Sequence, residues 1–384
     1  MKHMKKLFAM MLMIASVLFF ACSDDEDETL SPEEAKAEME QLSSDMSMYM
    51  DEMETSEGME ALDALMAKPY PFTDVKSNSY SGVLKDIQKY VLPTNYLKLE
   101  SKEKGVAEED RFNFELWVGT YDWDAAHEMW VPDFGNPSDK IIVNFPTEGS
   151  TTNDATLTIH NYTDVEITET DDYGTYTWYE PTNMVADLYI GDIKVVDISM
   201  DAEWVTSGET AGEPTSIDAS VYLIPFEFTA NFDHTSTSAS VDVAINYEES
   251  QIFSAGLSAV FETSDMDEAP VNVSGYIQLL KVRVDVSIDV KDLEEIMESM
   301  EEEYETPEEM VAAINGEIDA YVTIDGVKAA DIELVYDETS EQMFDIVFVY
   351  SDGSTESAIP YFESFATDLE GFFSGLEEYY STWG

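Results

Sequence analysis

The chain has 384 residues, with 18 Lys and Arg against 82 Asp and Glu, a formal charge of −64, and a single cysteine. That length buries a sizeable core in one or two domains, and 44% hydrophobic with 12% aromatic content excludes disorder over most of it. Such a polyanion excludes nucleic acid as a partner, and one cysteine excludes an internal disulfide framework and a CxxC metal site.

Lys2, Lys5 and Lys6 precede an apolar run from Leu7 to Phe20. A basic start followed by a short greasy stretch reads as a secretory signal, too short for a stable membrane span. The run ends Phe19-Phe20-Ala21-Cys22, and Ser23-Asp24-Asp25-Glu26-Asp27-Glu28 follows. Ala21-Cys22 resembles a bacterial lipoprotein cleavage site, which implies removal of residues 1–21 and acylation, palmitate included, at Cys22. The acidic stretch resembles the signal that sends lipoproteins of the Bacteroidota to the outer face of the outer membrane. It reads equally as a solvated tether over residues 22–30. The alternative is an ordinary secreted protein with a free Cys22. Cleavage would remove three lysines and no acid, taking the formal charge from −64 to −67. A chain so acidic has no basic patch for anionic headgroups, so the membrane is reached through the acyl anchor alone.

Residues 31–105 read as a helical segment. Ser31-Pro32-Glu33-Glu34 is a capping box with Pro in the first turn, opening a helix to about Met53. Glu54–Gly58 interrupts it, and a second helix follows through Met59, Leu62, Leu65 and Met66. A weaker helix covers Val83 to Leu92, stopped by Pro93. Met39, Met46, Met48, Met50 and Met53 read as adaptable packing in place of metal ligands.

From residue 106 to 290 the pattern predicts antiparallel sheet, in hairpins or a meander. Phe112, Phe114, Leu116 and Val118 alternate with Trp117, and Tyr121 and Trp123 continue its side. Asp124–Glu128 turn the chain and Met129-Trp130-Val131 begin the return. Strands are expected at Lys140–Phe145, Ala155–Tyr162, Val165–Thr170, Thr175–Tyr179, Met184–Ile190, Lys194–Trp204 and Ser216–Leu223. Phe226–Phe232, Ser238–Tyr247, Ala255–Glu262 and Val271–Val290 follow. Two stretches resemble each other at an offset of 134: Ile190-Gly191-Asp192-Ile193-Lys194-Val195-Val196-Asp197-Ile198 and Ile324-Asp325-Gly326-Val327-Lys328-Ala329-Ala330-Asp331-Ile332. Gly-Asp suits a type II′ turn and Asp-Gly a type I′ turn, so each reads as a hairpin with its Lys and Asp at equivalent places. A duplicated half-domain and convergent hairpin chemistry both account for the match.

Residues 291–384 read as helices and hairpins closing the sheet. Asp292–Tyr304 carries Leu293, Ile296, Met297 and Met300 on one face, and Thr306-Pro307-Glu308-Glu309 is a second capping box, its helix ended at Asn315-Gly316. Asp352-Gly353 turns a further hairpin. A last helix from Tyr361 to Trp383 presents a wide apolar stripe suited to covering a sheet face.

The fold class expected is therefore α+β, β-dominated: a long antiparallel sheet with an N-terminal helical segment and C-terminal helices packed on one face. No HExxH or G-x-S-x-G motif occurs, and His127, His160 and His234 have no ligand spacing, so no catalytic residue, cofactor or metal centre is assigned. Asp122 and Asp124 flank Trp123, and Asp265-Met266-Asp267-Glu268 offers at most weak divalent-cation binding without an EF-hand loop. Trp117, Tyr121 and Trp123, with Trp130 across the hairpin, are the ligand-binding candidates, because rings on one strand face stack on sugars or on a partner's apolar surface. Covered packing, with the rings as cross-strand pairs, is the structural alternative. The expected role is a non-enzymatic, membrane-anchored surface lipoprotein binding a glycan or protein partner. A lipid or lipoprotein carrier is the second reading, since the layout looks like curved-sheet periplasmic carriers with an apolar groove under the last helix. A carboxylate-based hydrolase is the third.

Overall fold

The structure, a computed structural model, describes residues 30–68, 112–171, 174–208, 210–263, 269–303, 306–338 and 344–363. The signal, Cys22 and its acidic stretch, the helix expected over Val83–Leu92, the loop Asp265–Glu268 and the last helix beyond Glu363 lie outside the described residues.

The first helix, α1 (Pro32–Glu54), starts as the capping box requires. Glu34 N–H donates to Ser31 Oγ (3.4 Å) and Ser31 N–H donates to Glu34 Oε2 (3.2 Å). Ser56 then caps α2 (Glu57–Met66) by accepting from Met59 N–H at 3.3 Å.

Among the described residues the chain divides into two compact units: one of residues 49–234 and 243–250, the other of 30–48, 235–242 and 251–363. The first holds α2, α3 (Phe114–Trp117), β1 (Gly119–Asp124), β2 (Met129–Phe134), β3 (Ile141–Phe145), β4 (Ala155–Asp171), β5 (Gly174–Ile190), β6 (Ile193–Trp204), β7 (Pro214–Leu223) and β8 (Phe226–His234). β9 (Ser238–Tyr247) is divided between them. The second holds β10 (Ser250–Val260), β11 (Asn272–Leu279), β12 (Val282–Asp289), α4 (Val290–Glu303), α5 (Pro307–Gly316), β13 (Ile318–Ile324), β14 (Val327–Tyr336), β15 (Phe344–Tyr350) and β16 (Thr355–Ser357). The hydrogen-bonded order of the sixteen strands follows the chain from β16 to β3 and then ends β1-β2. The protein is thus β-dominated, with a long sheet and few helices.

Four local expectations change. Phe114–Trp117 is a turn of helix where the alternation predicted strand. The four strands expected between Ala155 and Ile190 are two of 17 residues each. Register shifts at Ile159/Asn161 and Thr163/Asp164 absorb the break in period, as bulges do. Val271–Val290 is a hairpin turning at Leu280 and Lys281, where Leu280 takes φ +52°. And β1 pairs with β3 in parallel. Because β2 runs back along β1, residues 135–140 begin where β1 began, so β3 joins its other edge without a helical crossover.

In each unit one sheet face is apolar and covered, the other polar. In the β1–β8 unit, Met184, Leu188, Val196, Ile198, Val221 and Phe228 are buried on one face, and α2, with Met59, Ala61, Leu62 and Leu65 buried, packs against β6 and β7. Gly58 lets that helix approach, since a Cβ there would lie 2.8 Å from the Val195 carbonyl oxygen. Gly58→Leu is therefore expected to cost about 2 kcal/mol by overpacking. A urea midpoint lowered at unchanged m-value checks this, and an unchanged midpoint contradicts it. In the β10–β16 unit, Val284, Val286, Val322, Ala330 and Phe348 form a core with Ala35 and Leu42 of α1.

The two look-alike hairpins are alike in three dimensions. Gly191 takes φ +57°, and Asp325 and Gly326 take φ +51° and +79°, as types II′ and I′ require. Leu188 pairs with Val196 and Tyr189 with Lys194, leaving Val195 as the extra residue of a bulge. Val322 pairs with Ala330 and Thr323 with Lys328, leaving Ala329 in the same position. In a regular strand residues three apart face opposite ways, and the bulge corrects the parity. Lys194 thereby reaches Asp197 at 2.8 Å and Lys328 reaches Asp331 at 2.7 Å, each ammonium lying over a tyrosine, Tyr189 or Tyr321, at 5.8 and 5.3 Å.

Candidate functional site

The candidate residues gather at the β1–β2 hairpin, which ends the strand order. Register places Trp123 opposite Trp130, and their rings meet edge to face at 5.1 Å. Tyr121, two residues before, is fully buried. Its hydroxyl donates to the Trp117 carbonyl at 2.9 Å, and its ring meets Phe134 at 5.9 Å. Trp130 is buried as well, while Trp117 and Trp123 are half-buried. The helical turn at α3 takes Trp117 out of the strand, so the candidates do not form an open row: Trp123 packs on Trp130, and Tyr121 on Phe134.

Lys68, just past α2, also enters this cluster. Its ammonium donates to the Ala64 carbonyl (2.6 Å), closing the helix end, and to the Pro146 carbonyl (3.1 Å). It lies 5.5 Å from the Phe145 ring centre and 6.0 Å from that of Trp123. Burial pulls its pKa below the usual lysine range. An internal cation thus borders the Trp123 ring. No local motif announces this, although a lysine directly after a helix is a recognisable C-terminal signal.

Exposed side chains of the same hairpin carry the apolar surface. Leu116 is 67% exposed, Phe134 60%, Met129 53% and Val131 49%. Only five other large apolar side chains among the described residues are comparably open, spread from Met48 to Ile359. Met129 and Val131 alternate with buried Trp130, so they emerge on the polar sheet face, while Phe134 emerges on the other. The sequence signal for Met129 and Val131 is that alternation with Trp130.

Around this edge the polar face is organised in hydrogen-bonded rows. Thr156 Oγ1 donates to Asn144 Oδ1, and Asn144 Nδ2 donates to Asp122 Oδ1, both at 2.8 Å. Further along, Asn161 Nδ2 donates to Asn183 Oδ1 (2.7 Å) and Asn183 Nδ2 to Asp201 Oδ1 (2.6 Å). His127 Nδ1 lies 2.7 Å from Asp124 Oδ2, and this hydrogen bond is the largest cause holding the carboxyl below its ordinary value. His160 pairs with Asp187 at 2.7 Å. Elsewhere Asp289, Asp292 and Glu317 bring ligand oxygens within 4.8 Å of one another, the one such group among the described residues. All three are solvent-accessible, and Asp289 Oδ1 accepts from Asp292 N–H at the start of α4 (3.1 Å).

No described helix is long and apolar enough to cross a membrane, which says nothing of spans made of strands. No family model and no curated protein matches the chain. Among solved structures, a porin-like protein from Bacteroides vulgatus is similar over 51% of this chain and 96% of its own, at 8% identity and a TM-score of 0.17. A likeness that slight transfers neither fold nor function.

Proposed function

We propose that the chain is a lipoprotein anchored through Cys22 at the outer cell surface, with a non-enzymatic role in which the β1–β2 hairpin holds a protein partner. The observation that carries the binding role is the concentration of exposed apolar side chains at 116–134: Leu116, Met129, Val131 and Phe134. Scattered exposed apolar residues need no explanation, whereas a partner that wraps the edge strand β2 would cover Met129 and Val131 on one face and Phe134 on the other. Half-buried Trp117 and Trp123 stand behind them as rigid anchors, and Asp122, Glu128 and Asp133 form an acidic rim that favours a partner with basic flanks. Protein is favoured over glycan because Tyr121 and Trp130 give their faces to packing and the Trp123 ring is bordered by Lys68.

The test places a photo-crosslinking residue at Val131 or, as a control on the polar face, at Ser199, in whole cells, and screens the purified domain against a glycan library. One discrete protein adduct at Val131, lost with Met129→Asp/Phe134→Asp and missing at Ser199, is the expected result. Equal adducts at both positions, no adduct, or tight glycan binding lost with Trp123→Ala would overturn the protein-partner reading.

A further inference from the structure

We infer that the tight-turn end of the β10–β16 unit faces the phospholipid surface and that its helical end points away. This rests on the Cys22 anchor proposed above. Leu30 N–H donates to the Lys328 carbonyl at 3.2 Å, so the described chain begins beside the β13–β14 turn. The turn at Leu280–Lys281 lies at the same end, where Asp325 N–H donates to the Lys281 carbonyl at 2.9 Å. So does the turn at Ser351–Gly353, because Tyr350 pairs with Ala330 near the start of β14. The longer connections, α4 and α5 among them, all leave from the opposite end.

Two physical arguments give the orientation. The first is reach. Eight residue steps separate Cys22 from Leu30, at most about 28 Å when fully extended. The eight-residue β12 is itself about 26 Å long, and α4 follows from its far end. Turning that end to the bilayer would lift Leu30 by the length of the strand and pull the tether taut. With the turn end down, Leu30 lies at the lipid-facing end and eight residue steps more than suffice to reach the bilayer.

The second is charge. Lys281, Lys328, Arg283 and Lys36 gather at the turn end, where they pair with Glu38, Asp331, Asp285 and Glu356 and stand beside Asp325, Asp352, Glu33 and Glu34. At the other end Asp289, Asp292, Glu295, Glu308, Glu309 and Glu317 face a single described lysine, Lys291, already bound to Glu262 at 3.1 Å. Four of the five described basic side chains of this unit thus lie at the turn end, which anionic headgroups repel less than the helical end within a Debye length of about 8 Å.

The experiment uses the full mature chain on vesicles containing anionic phospholipid and a headgroup nitroxide. A fluorophore is attached through Asp352→p-azidophenylalanine or Glu308→p-azidophenylalanine, both exposed sites that leave Cys22 untouched. Fluorescence lost at 352 and kept at 308 is the expected result. Loss at 308, or equal loss at both, overturns the orientation. Flotation of the protein with vesicles tests the anchor separately. If it fails, the lipoprotein reading fails, and coupling the Cys22 thiol to a maleimide lipid puts the orientation to the same fluorescence test.

Discussion

Cys22→Ala is expected to move the protein from the membrane fraction to the soluble fraction while leaving its thermal unfolding unchanged. Stability is spared because the capping box and core of α1 begin at Ser31 and Ala35, beyond the tether. Release is expected because the acyl chains at Cys22 are the anchor in this reading. Loss of Lys2, Lys5 and Lys6 with the proposed signal would take the formal charge from −64 to −67, which anionic headgroups repel. Each buried acyl methylene contributes about 0.8 kcal/mol, and two or more chains are needed for a stable anchor. Fractionation with a high-salt wash reads the outcome. A variant that stays in the membrane pellet after the wash contradicts the anchor.

Arg283→Ala is expected to destabilise the β10–β16 unit by about 3 kcal/mol at neutral pH. Asp285 is buried, and Arg283 reaches it through Nε and Nη2 at 2.8–2.9 Å while its guanidinium stacks 3.7 Å from the Tyr276 ring centre. Burial raises the Asp285 carboxyl above its ordinary value of 3.8 even with the guanidinium opposing. A carboxyl whose folded pKa is raised binds its proton more readily folded than unfolded. Its ionised form therefore costs stability above that folded value, and the cost disappears as pH falls through it. Removing the arginine raises the folded pKa further. The gap between wild type and variant in urea unfolding should then be widest at neutral pH and shrink on acidification, with Asp285→Asn restoring most of the loss. A gap independent of pH would mean that lost packing on Tyr276, and not the stranded carboxylate, is the cause.

Much of the sheet was legible in local chemistry. The turns at Gly191 and Asp325-Gly326 follow from residues that accept positive φ, the capping box at Ser31 forms as written, and Thr306 caps its helix by accepting from Glu309 N–H at 3.2 Å. Even the spacing of three between Lys194 and Asp197 held information, because only a bulge brings both to one face. What stayed illegible depends on distant partners. Phe112–Val118 alternates like a strand, yet Asn113 precedes a helical turn whose Trp117 carbonyl accepts from the Tyr121 hydroxyl. The parallel pairing of β1 with β3 is set by where β2 leaves the chain. The aromatic cluster reads as an open row until Lys68 arrives from α2, more than fifty residues earlier. The exposed edge was hidden for the opposite reason: Met129 and Val131 look like ordinary strand residues, and only a sheet end makes them surface.

The anchor at Cys22 underlies both the proposed location and the orientation on lipid, and the mass of the N-terminal peptide from membrane-extracted protein tests it most directly. The peptide is expected to begin at Cys22 and to carry the mass of a thioether-linked diacylglycerol. A peptide beginning at Met1, or one beginning at Cys22 with an unmodified thiol, would contradict it.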